Sequence, residues 1–352
     1  MNAPPVQYVT TSDGYSIAYC SVGTGRPLVA APWPHSHLQL NWTEAGEQLL
    51  LTRALTEKYR QVQYDARGQG LSTRDLPEDV TVADFVLDME AVVDQIGLDR
   101  FVLFGWGNAL GHVAVHYAAR HPETVEALIL QCSAVRASAW PSAIFVDLPS
   151  QSWEYYLHQV ARARLAANAR VAIPGVPQVD QEALVSHLAQ SVKQRDWART
   201  LKAFLEDDAT ELLKGLKVPT LILHQRDFRP LPATEASKLA AMIPNSRLVL
   251  TEGSGLHGDA AQVVAAIDEF LTSLPASEPR RGSAPMALDH LSLREIEVLR
   301  LVAAGKINQQ IADELVISLN TVNRHVSNIY AKTGAANRAE AVGYAHRNGL
   351  AN

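Results

Sequence analysis

Two groups of residues in this 352-residue chain have the types and spacing to do chemistry. One lies near the C-terminus. From Leu315 to Ala339 there is no Asp or Glu, while Arg324, Lys332 and Arg338 supply positive charge, a pattern suited to phosphate. Val322, Val326 and Ile329 recur at helical spacing and make one apolar face, which leaves Asn323, Arg324, Ser327 and Asn328 on the others. The second group sits in loops that follow short apolar runs. These loops carry Trp33 and His35 (APWPHSHLQLNW, 31–42), Trp106, Gly107 and Asn108 (FGWGNALG, 104–111), Phe228 (HQRDFRPLP, 224–232) and His257 (EGSGLHGDA, 252–260). Aromatic walls with a few polar groups suit a small, mostly apolar ligand, one that is itself aromatic, an ester or a lactone.

The elements that must position the second group alternate in kind. Residues 26–32, 60–66, 100–106, 126–132, 219–225 and 246–252 are short runs rich in Val, Leu and Ile. Between them lie amphipathic stretches such as VADFVLDMEAVVDQIG and ATEASKLAAMIP. Continuous apolar strands separated by helices imply an α/β fold, a parallel sheet covered on both faces. In such sheets the loops at the carboxyl ends of the strands converge on one cavity. Residues 136–216 break the rhythm with mostly helical sequence carrying Trp140, Trp153, Tyr155, Tyr156 and Trp197, and read as an inserted cap. Trp140 is counted with the ligand-lining residues; Trp153 and Trp197 suit cap packing equally well.

LPASEPRRGSAPMA (274–287) has no apolar period and reads as a linker, with its core at 276–287. It separates a domain of residues 1–275 from an all-helical one of residues 288–352, whose pattern breaks at Gly305, Gly334 and Gly349.

The whole chain is 47% hydrophobic and 19% charged, with a net charge of −6. That excludes a disordered chain and a uniformly basic nucleic-acid coat. Split at the linker the charge tells more: residues 286–352 hold seven Lys/Arg against six Asp/Glu, a net +1, so residues 1–285 carry −7. Cys20 and Cys132 cannot staple this length, so a reducing compartment is expected. The first residues lack a basic start and an apolar run, and no apolar stretch reaches the ~18 residues of a spanning helix. A soluble, cytoplasmic protein without membrane contact is the expectation.

YDARGQGLS (64–72), the strand and helix of RFVLFGWGNALGHVAVHYAARHPE, and VPTLILH fall in the order found in α/β-hydrolases, and residues 5–275 resemble that fold. The resemblance implies a nucleophile on the turn after 100–106, within Gly105-Trp106-Gly107-Asn108-Ala109. Counting from the strand end places Gly107 there; counting back from Arg120-His121-Pro122 places Asn108. No Ser lies between Ser72 and Ser133. The triad acid would fall at Phe228, with Asp227 one place early, and His257 matches the triad histidine. Cys132 follows a different strand. No cofactor or metal is implied.

LSLREIEVLRLVAAGKINQQIADELVISLNTVNRHVSNIYAKTGAANRAEAVGYAHRNGL (291–350) resembles the LuxR-type helix-turn-helix domain over nearly its whole length. Ile307–Leu315 and Thr321–Thr333 read as its two helices and 316–320 as the turn, with Ser318 or Asn320 as cap of the second, major-groove helix. The resemblance implies phosphate contacts from Thr321, His325 and Lys332. It also implies dimer contacts around Arg338–Ala345. Asn323 replaces the Lys common in the family and can pair with adenine.

The reading that joins these observations is a ligand-responsive transcriptional regulator. A catalytically inactive hydrolase-like domain binds an effector, and a homodimer reads double-stranded operator DNA. An active hydrolase or lyase with unorthodox groups, and a hydrolase fold serving only as a dimer scaffold, stay open as alternatives.

Overall fold

The computed structural model describes residues 3–42, 47–107, 111–136, 139, 152–168, 180–228, 230–252, 257–275, 291, 293–315 and 319–350. For Glu47, Ala167, Asn168, Leu293, Arg294, Asn320, Thr321, Arg324 and Ala331 the description covers the backbone alone. Chain contacts separate a large unit, Met1–Ile96 with Arg100–Pro275, from a small one, Ala276–Asn352 with Gly97–Asp99.

The large unit is built on one sheet. Its strands are β1 (Gln7–Thr10), β2 (Ser16–Val22), β3 (Arg26–Ala30), β4 (Tyr59–Tyr64), β5 (Phe101–Trp106), β6 (Val125–Gln131), β7 (Thr220–Gln225) and β8 (Ser246–Thr251). They lie in the order β1-β2-β4-β3-β5-β6-β7-β8. From β4 onward every pairing is parallel, and the six apolar runs of the sequence are the six strands involved. The sheet is nonetheless mixed, because β1 and β2 join its edge as antiparallel strands that the apolar-run criterion passes over. β1 buries one residue in four, so it carries almost no apolar signal.

Helices α1 (Glu47–Thr56), α2 (Val82–Ile96), α3 (Gly111–Arg120), α8 (Ala233–Met242) and α9 (Ala260–Ser273) flank the sheet. The period of two along β5 sorts its neighbours. Val102, Phe104 and Trp106 enter the core shared with Leu55 of α1 and Ile267 of α9. On the opposite face Phe101 meets Tyr117 of α3 at 5.8 Å between ring centroids. A Cβ on Gly105 would stand 3.0 Å from that of Ala114, so a strand residue without a side chain lets α3 approach closely.

The cap contains α4 (Trp153–Asn168), α5 (Gln181–Ser191) and α6 (Gln194–Glu206), followed by the short α7 (Thr210–Gly215). Its own core includes Tyr156, Leu184, Leu188 and Trp197. Buried Asp196 fastens it to the loop after β4 by accepting from Asp75 N (3.0 Å) and Leu76 N (2.9 Å). In the same loop the D-x-R-G-x-G-x-S motif forms a buried polar knot. Asp65 accepts from Ser36 Oγ (2.7 Å), Leu38 N (3.1 Å) and Leu71 N (2.9 Å). A Cβ on Gly70 would lie 2.0 Å from the Asp65 carboxylate, so only glycine fits there.

The small unit holds α10 (Leu293–Ala303), α11 (Asn308–Leu315), α12 (Leu319–Thr333) and α13 (Arg338–Arg347) around a core of Val298, Leu299, Ile311, Val322, Ile329 and Ala341. Its N-R-A-E motif is a capping arrangement. Asn337 accepts from Glu340 N (3.0 Å), and the Glu340 carboxylate accepts from Ala336 N (2.8 Å), so backbone donors at the start of α13 are satisfied.

Candidate functional site

At the carboxyl end of the sheet, Trp106, the last residue of β5, meets one residue from each of two loops, ring to ring. His257 stands edge-on to Trp33 at 4.6 Å and lies 5.1 Å from Trp106; the two tryptophans are 5.4 Å apart. All three are buried. The end of β6 holds this arrangement. Gln131 Nε2 donates to the His257 carbonyl (2.8 Å), Gly107 N donates to the Gln131 carbonyl (2.9 Å), and Ser133 Oγ donates to the Gly107 carbonyl (3.0 Å). Burial, and then the Arg164 guanidinium, push the His257 imidazole down to about 3, so it is neutral near pH 7.

The chain leaves β5 through Gly107 at φ +71°, a left-handed conformation that costs glycine little and other residues more. Asn108 and Trp140, both expected in this site, lie outside the described residues. His35, also left-handed at φ +59°, turns to the cap. Its Nε2 is 2.9 Å from Tyr156 Oη and its ring is 4.2 Å from that of Trp197. Burial, followed by the charge of Arg164, holds its imidazole well below the usual range. Arg164 itself donates to the Pro34 carbonyl at 2.9 Å. Nothing in the sequence marks Arg164, because a polar residue on a weakly amphipathic helix looks like surface. Phe228 packs beside Cys132, Ala134 and Leu231 and edge-on to His224 (5.9 Å). Asp227 next to it is exposed. Burial pushes the Cys132 thiol up to about 12, which leaves no thiolate at neutral pH.

In the small unit α12 buries Val322, Val326 and Ile329, while Asn323 and Ser327 are exposed and Asn328 is half-buried. Two expectations change, and a third gains a partner. Asn320 is the second residue of α12, not its cap, since the helix starts at Leu319; Ser318 lies outside the described residues. His325, expected on phosphate, is buried. Lys332 Nζ donates at 2.8 Å to Glu295 of α10, whose side chain is only 3% exposed. For Thr321 and Arg324 the description stops at the helical backbone.

The buried Glu295 carboxylate gives Lys332 a partner inside the small unit. Lys332→Met is expected to destabilise the small unit by about 1–3 kcal/mol, and adding Glu295→Gln should return most of it. Hydrogen exchange of the α12 amides measures this. Unchanged protection together with a salt dependence of DNA affinity flatter by about one unit would instead mean that Lys332 neutralises a phosphate.

Residues 33–257 match the family described as alpha/beta hydrolase fold. The chain belongs to this family. Residues 289–345 match the bacterial regulatory proteins of the luxR family, so the chain is a luxR-type DNA-binding domain fused to a hydrolase-fold domain. The hydrolase-fold domain is similar to the bifunctional esterase/perhydrolase DCH of Acinetobacter calcoaceticus, with 29% identity over 262 residues, 70% of this chain and 91% of DCH. It is also similar to the crystal structure of a hydrolase from Pseudomonas aeruginosa PA01. That match has 25% identity and a TM-score of 0.59, covering 77% of this chain and 99% of the other. The transcriptional regulatory protein LiaR of Bacillus subtilis (strain 168) is 34% identical over 151 residues, 40% of this chain. The chain spans 66% of LiaR, just under two thirds. Among the described residues no helix is long and apolar enough to cross a membrane.

Proposed function

We propose that the protein is a ligand-responsive transcriptional regulator in which the hydrolase-fold domain is a sensor and the luxR-type domain binds operator DNA as a homodimer. One observation carries this reading: the turn out of β5, where the fold places its nucleophile, leaves the strand through a glycine in a chain with no serine between Ser72 and Ser133. Two further features support it. The position expected for the triad acid holds buried Phe228. The forces on His257, burial and a cation, depress its basicity, whereas a general base at neutral pH needs a value near 7.

The aromatic cluster favours a small, mostly apolar effector, with esters and lactones first among those to try. Trp33 Nε1 is a buried donor without a hydrogen-bond partner among the described residues, and an ester or lactone oxygen would satisfy it. To regulate, the effector must bind one state of the protein better than another, since equal affinity shifts nothing.

The test pairs a thermal-shift screen of esters, lactones and small aromatics with turnover of nitrophenyl esters. Expected is a saturable rise in melting temperature for some compounds, abolished by Trp106→Ala, with ester hydrolysis at the buffer rate. Hydrolysis well above that rate and removed by His257→Gln would make the domain an enzyme, the chemistry named for its Acinetobacter relative. Stabilisation by none of these compounds would favour a scaffold.

A further inference from the structure

The three helices of the small unit that follow α10 are joined by a polar relay whose direction is fixed at one end. Arg338, the first residue of α13, donates from one guanidinium nitrogen to Asn308 Oδ1 (3.0 Å) and from another to the Lys306 carbonyl. Asn308, at the start of α11, donates from Nδ2 to Asn323 Oδ1 on α12 (2.8 Å). The two ends of an amide look alike in shape, so either asparagine taken singly could be turned over. The guanidinium removes that freedom, because it has only donors. Asn308 must turn its oxygen to Arg338. Its NH2 then faces Asn323, and only the Asn323 oxygen can accept from it.

We infer that this relay makes Asn323 a donor-only reader, which presents its NH2 to the major groove and selects guanine rather than adenine. The inference rests on the proposed binding of DNA by the luxR-type domain. Asn323 is exposed on α12, and its oxygen is turned to Asn308. Guanine offers two adjacent acceptors, N7 and O6, to such a group. The usual asparagine–adenine pair needs both ends of the amide, the oxygen for N6–H and the NH2 for N7. Arg338 and Asn308 are positioning residues here: they set which atom of Asn323 faces outward.

The experiment is selection from random-sequence duplex DNA at one fixed salt concentration, using the full chain and its Asn323→Ala, Asn308→Asp and Asn308→Ala variants. The position read by Asn323 is the one whose preference Asn323→Ala erases. Expected there is a G·C pair in wild type. Asn308→Asp has only acceptors, so it should turn the Asn323 amide over, put the oxygen outward, and move the preference from guanine towards adenine or cytosine by about tenfold. Asn308→Ala frees the amide and should blur guanine and adenine together, which keeps the test available if Asn308→Asp does not fold. An A·T pair in wild type, or a preference unchanged in both Asn308 variants, overturns the relay while leaving DNA binding intact. A wild-type selection that enriches no motif overturns both readings.

Discussion

Arg67→Met should cost the hydrolase-fold domain about 3–5 kcal/mol of unfolding free energy. The Arg67 side chain is 1% exposed and serves two carboxylates at once. Its Nε donates to Asp88 Oδ1 (2.8 Å), while its two terminal nitrogens donate to the oxygens of Asp13 at 2.6 and 3.1 Å. The guanidinium also lies over the Tyr15 ring, 4.2 Å from its centroid. Asp88 is fully buried, and burial pushes its carboxyl up to about 6 even against the pull of Arg67. Methionine fills most of the space but leaves that carboxylate with the Arg67 backbone N–H as its remaining donor among the bonds described. Breaking a buried pair from one side is costly, whereas replacing both partners by apolar groups often is not. Arg67→Met/Asp88→Leu should therefore recover most of the loss. Lysine is no substitute, since a single ammonium does not reproduce the planar fork that serves both carboxylates. Urea unfolding followed by tryptophan fluorescence reads the effect in one domain, because all six tryptophans precede the linker. A loss below about 1 kcal/mol in the single variant would mean that water already solvates this cluster.

That cluster also marks where legibility from sequence ends. The six core strands could be read because burial on both faces demands continuous Val, Leu and Ile, a signal that needs no partner to interpret. The edge strands could not, because β1 is held by backbone hydrogen bonds to β2 and buries little. Topology alone places Trp33, Trp106 and His257 together, since each ends or follows a strand whose neighbour is known once the sheet is parallel. The same rule grouped Phe228 and His35 with them, and here it was too coarse. Strand ends fix where a loop begins, not which way a side chain leaves it, and the left-handed backbone at His35 sends its ring to Tyr156 and Trp197. Charge along one helix is incomplete for a related reason. Lys332 reads as a cation on a groove-facing helix, and the sequence does not show that Glu295, 37 residues earlier, comes within 2.8 Å of it. A pattern of residue types along one helix carries no record of what the next helix brings to it.

Acid should destabilise the hydrolase-fold domain through His257, and the size of that effect separates a sensor from an enzyme. In the fold the imidazole is buried between Trp33 and Trp106, and burial, with the Arg164 charge second, holds it down at about 3. In the unfolded chain it titrates near 6.5. Between those values the unfolded chain binds a proton that the folded chain refuses. Stability is therefore intact above 6.5 and falls as pH is lowered, by up to about 1.4 kcal/mol per unit, until the folded imidazole also protonates near 3. Buried His35 acts in the same direction, so the measurement must be a difference. Glutamine does not titrate, and the bond from Gln131 goes to the backbone carbonyl of residue 257, which the substitution keeps. From pH 8 to pH 5, wild type should lose roughly 2 kcal/mol more than His257→Gln in urea unfolding read by tryptophan fluorescence. Parallel losses would sink this account: they would require a folded imidazole that takes up its proton near 6.5. Such a group would suit a working general base, and the active-hydrolase reading would then gain what the sensor reading loses.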